Sequence, residues 1–259
     1  MLLHLHEWGN RGAPPLLCVH GVQAHGARFR KLAEERLASR YRVLAPDLRG
    51  HGRSSWEPPW TIEQHVDDLL ETLSEAGVER TTIVGHSFGG RLALELTSRG
   101  IVDRSVLLDP AVWVPPPIAL ERAQALVRDR SFADVEEALD ERRPLSPLAP
   151  RELLDEEFGE HLVRHDDGRL RFRYSTAAVI AAISELAQPP PDWARVQVPT
   201  LLVVGEDTDV TVPAVVEVLR FELGEHLTVA TVPGRHVVLW DAFDETADAI
   251  DAFLEDAGA

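Results

Sequence analysis

Seven short apolar runs recur along the 259-residue chain: LLHLHEW, PLLCVHG, YRVLAPD, RTTIVGH, RSVLLDP, PTLLVVGE and HLTVATVPG. Apart from the first, they are nearly continuous in apolar residues rather than alternating. That pattern marks strands covered on both faces, as in a parallel sheet. Between them lie segments of helical periodicity, among them FRKLAEERLAS, IEQHVDDLLETLSEAG, RLALELTSRG, PAVVEVLRFELG and ETADAIDAFLED. Strand–helix alternation of this kind predicts an α/β fold with a mostly parallel central sheet, flanking helices and right-handed crossovers. The chain is long enough to bury a sizeable core without disulfide staples.

The alternation breaks once. Residues 111–193 contain no convincing strand, only helical patterns, and are bracketed by Pro115-Pro116-Pro117 and Pro189-Pro190-Pro191. This predicts a core of residues 1–110 and 194–259, with a helical insertion between two core strands. A long insert in a compact domain reads as a lid over the sheet; an extra helical layer is the plainer alternative.

The run TTIVGHSFGGRLALEL raises the chemical question. A β-branched strand hands over to a good helix through Gly85-His86-Ser87-Phe88-Gly89. Gly-x-Ser-x-Gly in that context is a nucleophile elbow, a sharp turn that lifts the serine hydroxyl above the sheet. Gly85 and Gly89 lack a Cβ and permit the close approach such a turn forces. A serine hydroxyl needs a base, and histidine is the usual one because it titrates near neutrality.

Of the 11 histidines, His236 stands out. It follows the run TVATVPG and precedes the last helix, at the carboxyl edge of the sheet where open α/β folds place their sites. His161 and His165, four apart on a predicted helix, could ligate a metal, but nothing nearby completes the set. The acid that orients the imidazole has several candidates: Glu206, Asp207 and Asp209 after one strand, and Asp109 after another. Either source gives the chain order serine, acid, histidine. The oxyanion needs two donors: the backbone N–H of Phe88, directly after the serine, and that of Val22 in the loop after PLLCV.

Net charge is −17, from 26 basic and 43 acidic residues. That argues against nucleic acid, whose phosphates require a basic footprint, and against anionic membrane surfaces. Cys18 is the single cysteine, so no internal disulfide can form. The N-terminal MLLHLHEWGN does not read as a signal peptide, and no run approaches the ~18 apolar residues of a membrane span. The expected location is the cytoplasm.

Taken together, His20-Gly21, Asp47-Leu48-Arg49-Gly50-His51-Gly52-Arg53-Ser54, Gly85 to Gly90, Gly205 to Asp209, and Gly234-Arg235-His236 resemble the α/β-hydrolase fold superfamily. The resemblance spans nearly the whole chain outside the insert, which matches that family's helical cap. It implies seven or eight strands, with the cap inserted before the acid-bearing strand. It also implies Asp209 as the acid, because Asp209 precedes Val210 as in many relatives, with Asp207 and Asp109 in reserve. Arg235, where relatives often carry a small residue, departs from the pattern. Branches that open epoxides or displace halide have an aspartate where Ser87 stands, so the serine implies acyl transfer.

The implied activity is hydrolysis of small, largely apolar carboxylic esters through an acyl-enzyme, with no cofactor or metal. Apolar Val112, Trp113, Val114 and Ile118 enter the cap, and Trp113 is the expected substrate contact. The same triad could serve carbon–carbon bond hydrolysis, lactones, amides, thioesters or perhydrolysis. A small-molecule receptor on the same fold is the reading from another class. A homodimer is compatible with the sequence.

Overall fold

The computed structural model describes residues 1–127 and 130–255. Seven strands form one sheet: β1 (Leu5–Trp8), β2 (Pro15–Val19), β3 (Arg42–Pro46), β4 (Thr81–His86), β5 (Val102–Leu108), β8 (Thr200–Gly205) and β9 (Leu227–Val232). Their order is β1-β3-β2-β4-β5-β8-β9. Only β1 runs antiparallel, against β3, and every other pair is parallel.

Successive residues of the inner strands point to opposite faces, and both faces are dry. Ile83 and Leu202 join one apolar cluster, while Val84, Leu201 and Val203 join the other. This two-sided burial is why these strands read as unbroken apolar runs. On the first face pack α2 (Ile62–Glu75) and α3 (Phe88–Ser98). α2 buries Ile62, Val66, Leu69 and Leu73, one stripe at helical spacing, and Thr61 caps it by accepting from the Gln64 N–H at 3.1 Å.

The second face carries the short α1 (Arg30–Leu32), whose chain continues into a π-helical segment at Ala33–Leu37, and the last helix, α10 (Phe243–Glu255), which follows the single turn α9 (Val238–Asp241). α8 (Pro213–Leu223) connects β8 to β9. Cys18 sits mid-strand in β2, with no exposed surface.

The insert between β5 and β8 holds α4 (Pro116–Leu126), α5 (Val135–Arg142), α6 (Arg151–His161) and α7 (Thr176–Glu185). It also holds a feature the sequence concealed: a hairpin of β6 (Leu162–Arg164) and β7 (Leu170–Phe172). The helix expected to carry both His161 and His165 ends at His161, so His165 lies in the hairpin turn. No helix among the described residues is long and apolar enough to cross a membrane.

Strand order locates the site. From β2 the chain moves outward to β3, then returns past β2 to β4. The carboxyl ends of β2 and β4 therefore flank the point where winding reverses, leaving a crevice between diverging connections. The loop after β2 and Ser87 after β4 meet there.

Candidate active site

Ser87 occupies the turn between β4 and α3 with φ 56° and ψ −119°, a backbone strained for any residue with a Cβ. Glycine makes the turn fit: a Cβ on Gly85 would lie 2.4 Å from the Gly89 carbonyl oxygen, and one on Gly89 would lie 2.0 Å from that of Val19. Serine at a helix N-cap commonly accepts from the helix's own amides. Here its Oγ makes no capping bond and lies 2.9 Å from His236 Nε2.

His236 Nδ1 is 2.5 Å from Asp109 Oδ2. Because a carboxylate only accepts, Nδ1 carries the proton and Nε2 presents its lone pair to the serine hydroxyl. Asp109 follows β5 directly, at φ 40°, and its side chain is fully buried. Thr208 Oγ1 donates to the same Oδ2 at 2.6 Å, and the Asp109 N–H donates to Val203 at 2.8 Å. Asp209, the acid expected from the resemblance, stands instead at the exposed rim of the cavity beside the serine. The carboxylate that meets His236 follows β5, ahead of the insert, whereas Asp209 follows β8, behind it. Asp207 is exposed and donates its N–H to the Gly234 carbonyl.

The loop after β2 is pressed against the serine: a Cβ on Gly21 would lie 2.7 Å from that of Ser87. Two buried imidazoles shape this loop. His20 accepts the Leu48 N–H at Nε2 (2.9 Å), so its Nδ1 donates to the Gly21 carbonyl (2.7 Å). In a trans peptide the N–H opposes the C=O. Drawing the Gly21 carbonyl towards His20 therefore turns the Val22 N–H the other way, and Val22 lines the cavity.

His51 accepts the N–H of Gln23 at Nε2 (3.3 Å) and donates from Nδ1 to the Arg49 carbonyl (3.2 Å); Gln23 itself has φ 60°. Burial pushes both imidazoles down, His51 to about 4, so both remain neutral acceptors at pH 7. The Phe88 N–H is the first amide of α3 and has no acceptor within the helix.

His86, beside the serine, donates Nε2–H to the His236 carbonyl at 3.0 Å. Burial first, then the neighbouring His236 and Arg28, hold its pKa well below the usual range. It serves as a neutral strut under the loop that carries His236.

The sequence motif around Asp47 is a scaffold. Asp47 accepts the N–H groups of Gly26 (2.7 Å) and Arg53 (2.8 Å), and Arg49 pairs bidentately with buried Asp68 at 2.6 and 2.8 Å. His4, His6 and Asp47 bring ligand atoms within 4.8 Å of one another, but both Asp47 oxygens are already engaged by N–H donors. His161 is buried, stacks on His25 at 4.6 Å, and lies 3.3 Å from the Gln23 carbonyl.

Above the serine opens a cavity of about 440 Å³. Core and insert both line it, the apolar part including Val22, Ala111, Val114, Ile183, Leu186 and Trp240. Trp113 is not among the lining residues. It is 45 % exposed, its indole donating to the Ala187 carbonyl at 3.3 Å, while its neighbour Val114 faces the cavity.

The profile of the Alpha/beta hydrolase family matches residues 16–249, nine-tenths of the chain. The chain belongs to the α/β hydrolase family. This α/β hydrolase is 37% identical over 190 residues to Lipase LipV of Mycobacterium tuberculosis, spanning 72% of each chain. It is 32% identical over 139 residues to a 3-hydroxybutyrate-oligomer hydrolase of Cupriavidus necator, covering 50% of this chain and about half (47%) of that one. Among solved structures, E-2-(acetamidomethylene)succinate hydrolase superposes with a TM-score of 0.86 at 25% identity, covering 98% of this chain and 95% of the other. An enol-lactonase from Burkholderia xenovorans LB400 (TM-score 0.80, 19% identity, 98% and 96% covered) shares the fold.

Proposed function

We propose that this α/β hydrolase cleaves small carboxylic esters through an acyl-enzyme on Ser87. One observation carries the reading: the unbroken relay of Ser87 Oγ, His236 and Asp109 at 2.9 and 2.5 Å. Ser87 attacks the ester carbonyl as His236 Nε2 takes its proton, and Asp109 stabilises the imidazolium that results. The tetrahedral oxyanion lies between the N–H groups of Val22 and Phe88, at the positive end of α3. His236 then protonates the departing alcohol, and a water activated by the same imidazole releases the acid.

The insert acts as a cap, walling the cavity and excluding water from the charged intermediates. The similarity to a protein named as a lipase favours the ester among the bonds such a relay can open.

A fluorophosphonate probe tests the reading. We expect one adduct, on Ser87, and concurrent loss of hydrolysis of 4-nitrophenyl acetate. An unlabelled Ser87 in folded protein would overturn it.

A further inference from the structure

In a chain of net charge −17, the described residues that line the cavity over Ser87 include five arginines, Arg28, Arg122, Arg130, Arg142 and Arg235, against two acids, Glu141 and Asp209. The acids leave this excess intact. Glu141 is bound to Arg130, and Asp209 is exposed at the rim. Arg28 is likewise satisfied, by Glu157 at 2.6 Å.

Arg142 differs. Its side chain is buried, and among the described residues no carboxylate pairs with it. One edge of the guanidinium is spoken for: Nη1 donates to Gln23 Oε1 at 3.0 Å, and Cζ rests 4.4 Å over the Phe172 ring. Nη2 is buried and has no acceptor among the described residues. Guanidinium stays charged in proteins, so this is a desolvated cation with no counter-ion among the described residues, an arrangement that costs stability unless something completes it. Burial also pushes its pKa down, which is the signature of a charge its surroundings do not compensate.

Its location says what completes it. Arg142 lines the same cavity as Ser87, and Gln23, which holds its Nη1, directly follows Val22, whose amide is assigned to the oxyanion. A planar donor fork suits a carboxylate. A group reaching it from a carbonyl on Ser87 must belong to the same small molecule, a few methylenes along.

We propose that Arg142 receives the free carboxylate of a substrate whose scissile ester lies at Ser87, so that the substrates are monoesters of short dicarboxylic acids. This rests on the esterase reading above. The reaction is a simple hydrolysis: water adds across the acyl–oxygen bond, the alcohol leaves with a proton, and a dicarboxylate is released. The apolar wall of Val114, Ile183 and Leu186 accommodates the methylene chain between the two ends.

The test compares kcat/KM for monomethyl and dimethyl esters of succinate, glutarate and adipate, which differ in one negative charge. We expect at least one chain length to favour the monoester by about tenfold or more. Arg142→Met should cut that ratio by about tenfold or more, and Arg142→Lys, which keeps the charge without the fork, should retain part of it. Equal use of both esters by the native protein overturns the proposal. So does a ratio that Arg142→Met leaves alone, which would make the arginine purely structural.

If Arg142→Met does not fold, competitive inhibition by glutarate of the native protein and of Arg142→Lys decides instead. No inhibition of the native protein, or equal inhibition of both, counts against it. Fluorophosphonate labelling of Ser87 separates the two readings. Labelling without carboxylate preference sinks only this inference. Without labelling the esterase reading fails, and calorimetric binding of glutarate, lost in Arg142→Met, then tests the anion site alone.

Discussion

Asp109 owes its place in the proposed relay to its backbone conformation. At φ 40° directly after β5, it swings its carboxylate onto His236 Nδ1, while Asp209 remains at the exposed rim. Asp109→Asn should therefore lower kcat on the order of 10⁴-fold, because an amide no longer fixes the tautomer with Nδ1 protonated. Asp209→Asn should cost less than about tenfold, and steady-state kinetics on one ester compares the two. Were the larger loss to follow Asp209, the assignment would reverse.

The meeting of Ser87 and His236 was legible in the sequence because each sits in a local motif that demands a particular turn. Which carboxylate meets His236 was not, since β5 and β8 are neighbours and both deliver aspartates to one edge; only side-chain direction separates them. Trp113 misled for a related reason. In irregular chain entering the insert, neighbouring residues face opposite ways, and Val114 took the cavity side. Arg142 could not have been found by pattern, because its meaning is the absence of a carboxylate partner among the described residues. Gly89→Ala should abolish folding or activity outright, as its methyl would sit 2.0 Å from the Val19 carbonyl oxygen. Soluble expression and circular dichroism would show which.

Elements are held in register by one buried arginine. Arg91, on α3, donates to the Val112 carbonyl (2.8 Å) where the insert begins, and to those of Gln188 (3.2 Å) and Pro189 (2.5 Å) where it ends. Both necks of the insert are thus tied to the helix that Ser87 precedes. Arg91→Met would leave those carbonyls without their donor, at about 1–3 kcal/mol for each that water cannot reach. We expect a lower urea midpoint and faster proteolysis near the two necks; unchanged cleavage there would argue that the necks hold without it.

The core strands and helices were legible because two-sided burial and amphipathic periodicity are sequence-wide signals. The β6–β7 hairpin was hidden: three residues a side, in a charged stretch, fall below the length at which alternation can be recognised.

The whole molecule stakes its acid stability on neutral imidazoles. His20, His51, His65, His86 and His161 are all buried and all pushed down, chiefly by desolvation, His51 to about 4 and His65 to about 3. Unfolding returns them to about 6.5, so the unfolded chain binds protons first as pH falls. Stability is then full above pH 6.5 and is lost as pH drops towards 4, at about 1.4 kcal/mol per pH unit for each histidine in its window. Urea melts at pH 7 and pH 5 should differ by several kcal/mol. A flat profile would mean the imidazoles are not neutral.

Cys18 offers a different kind of readout. It lies mid-strand in β2, between β3 and β4, with no exposed surface and a thiol pushed strongly upward by burial. An alkylating reagent can reach it only when the central strands part. The lone thiol is therefore a built-in clock for rupture of the sheet's middle: its rate of modification by iodoacetamide times that event alone, silent to every smaller fluctuation at the rim.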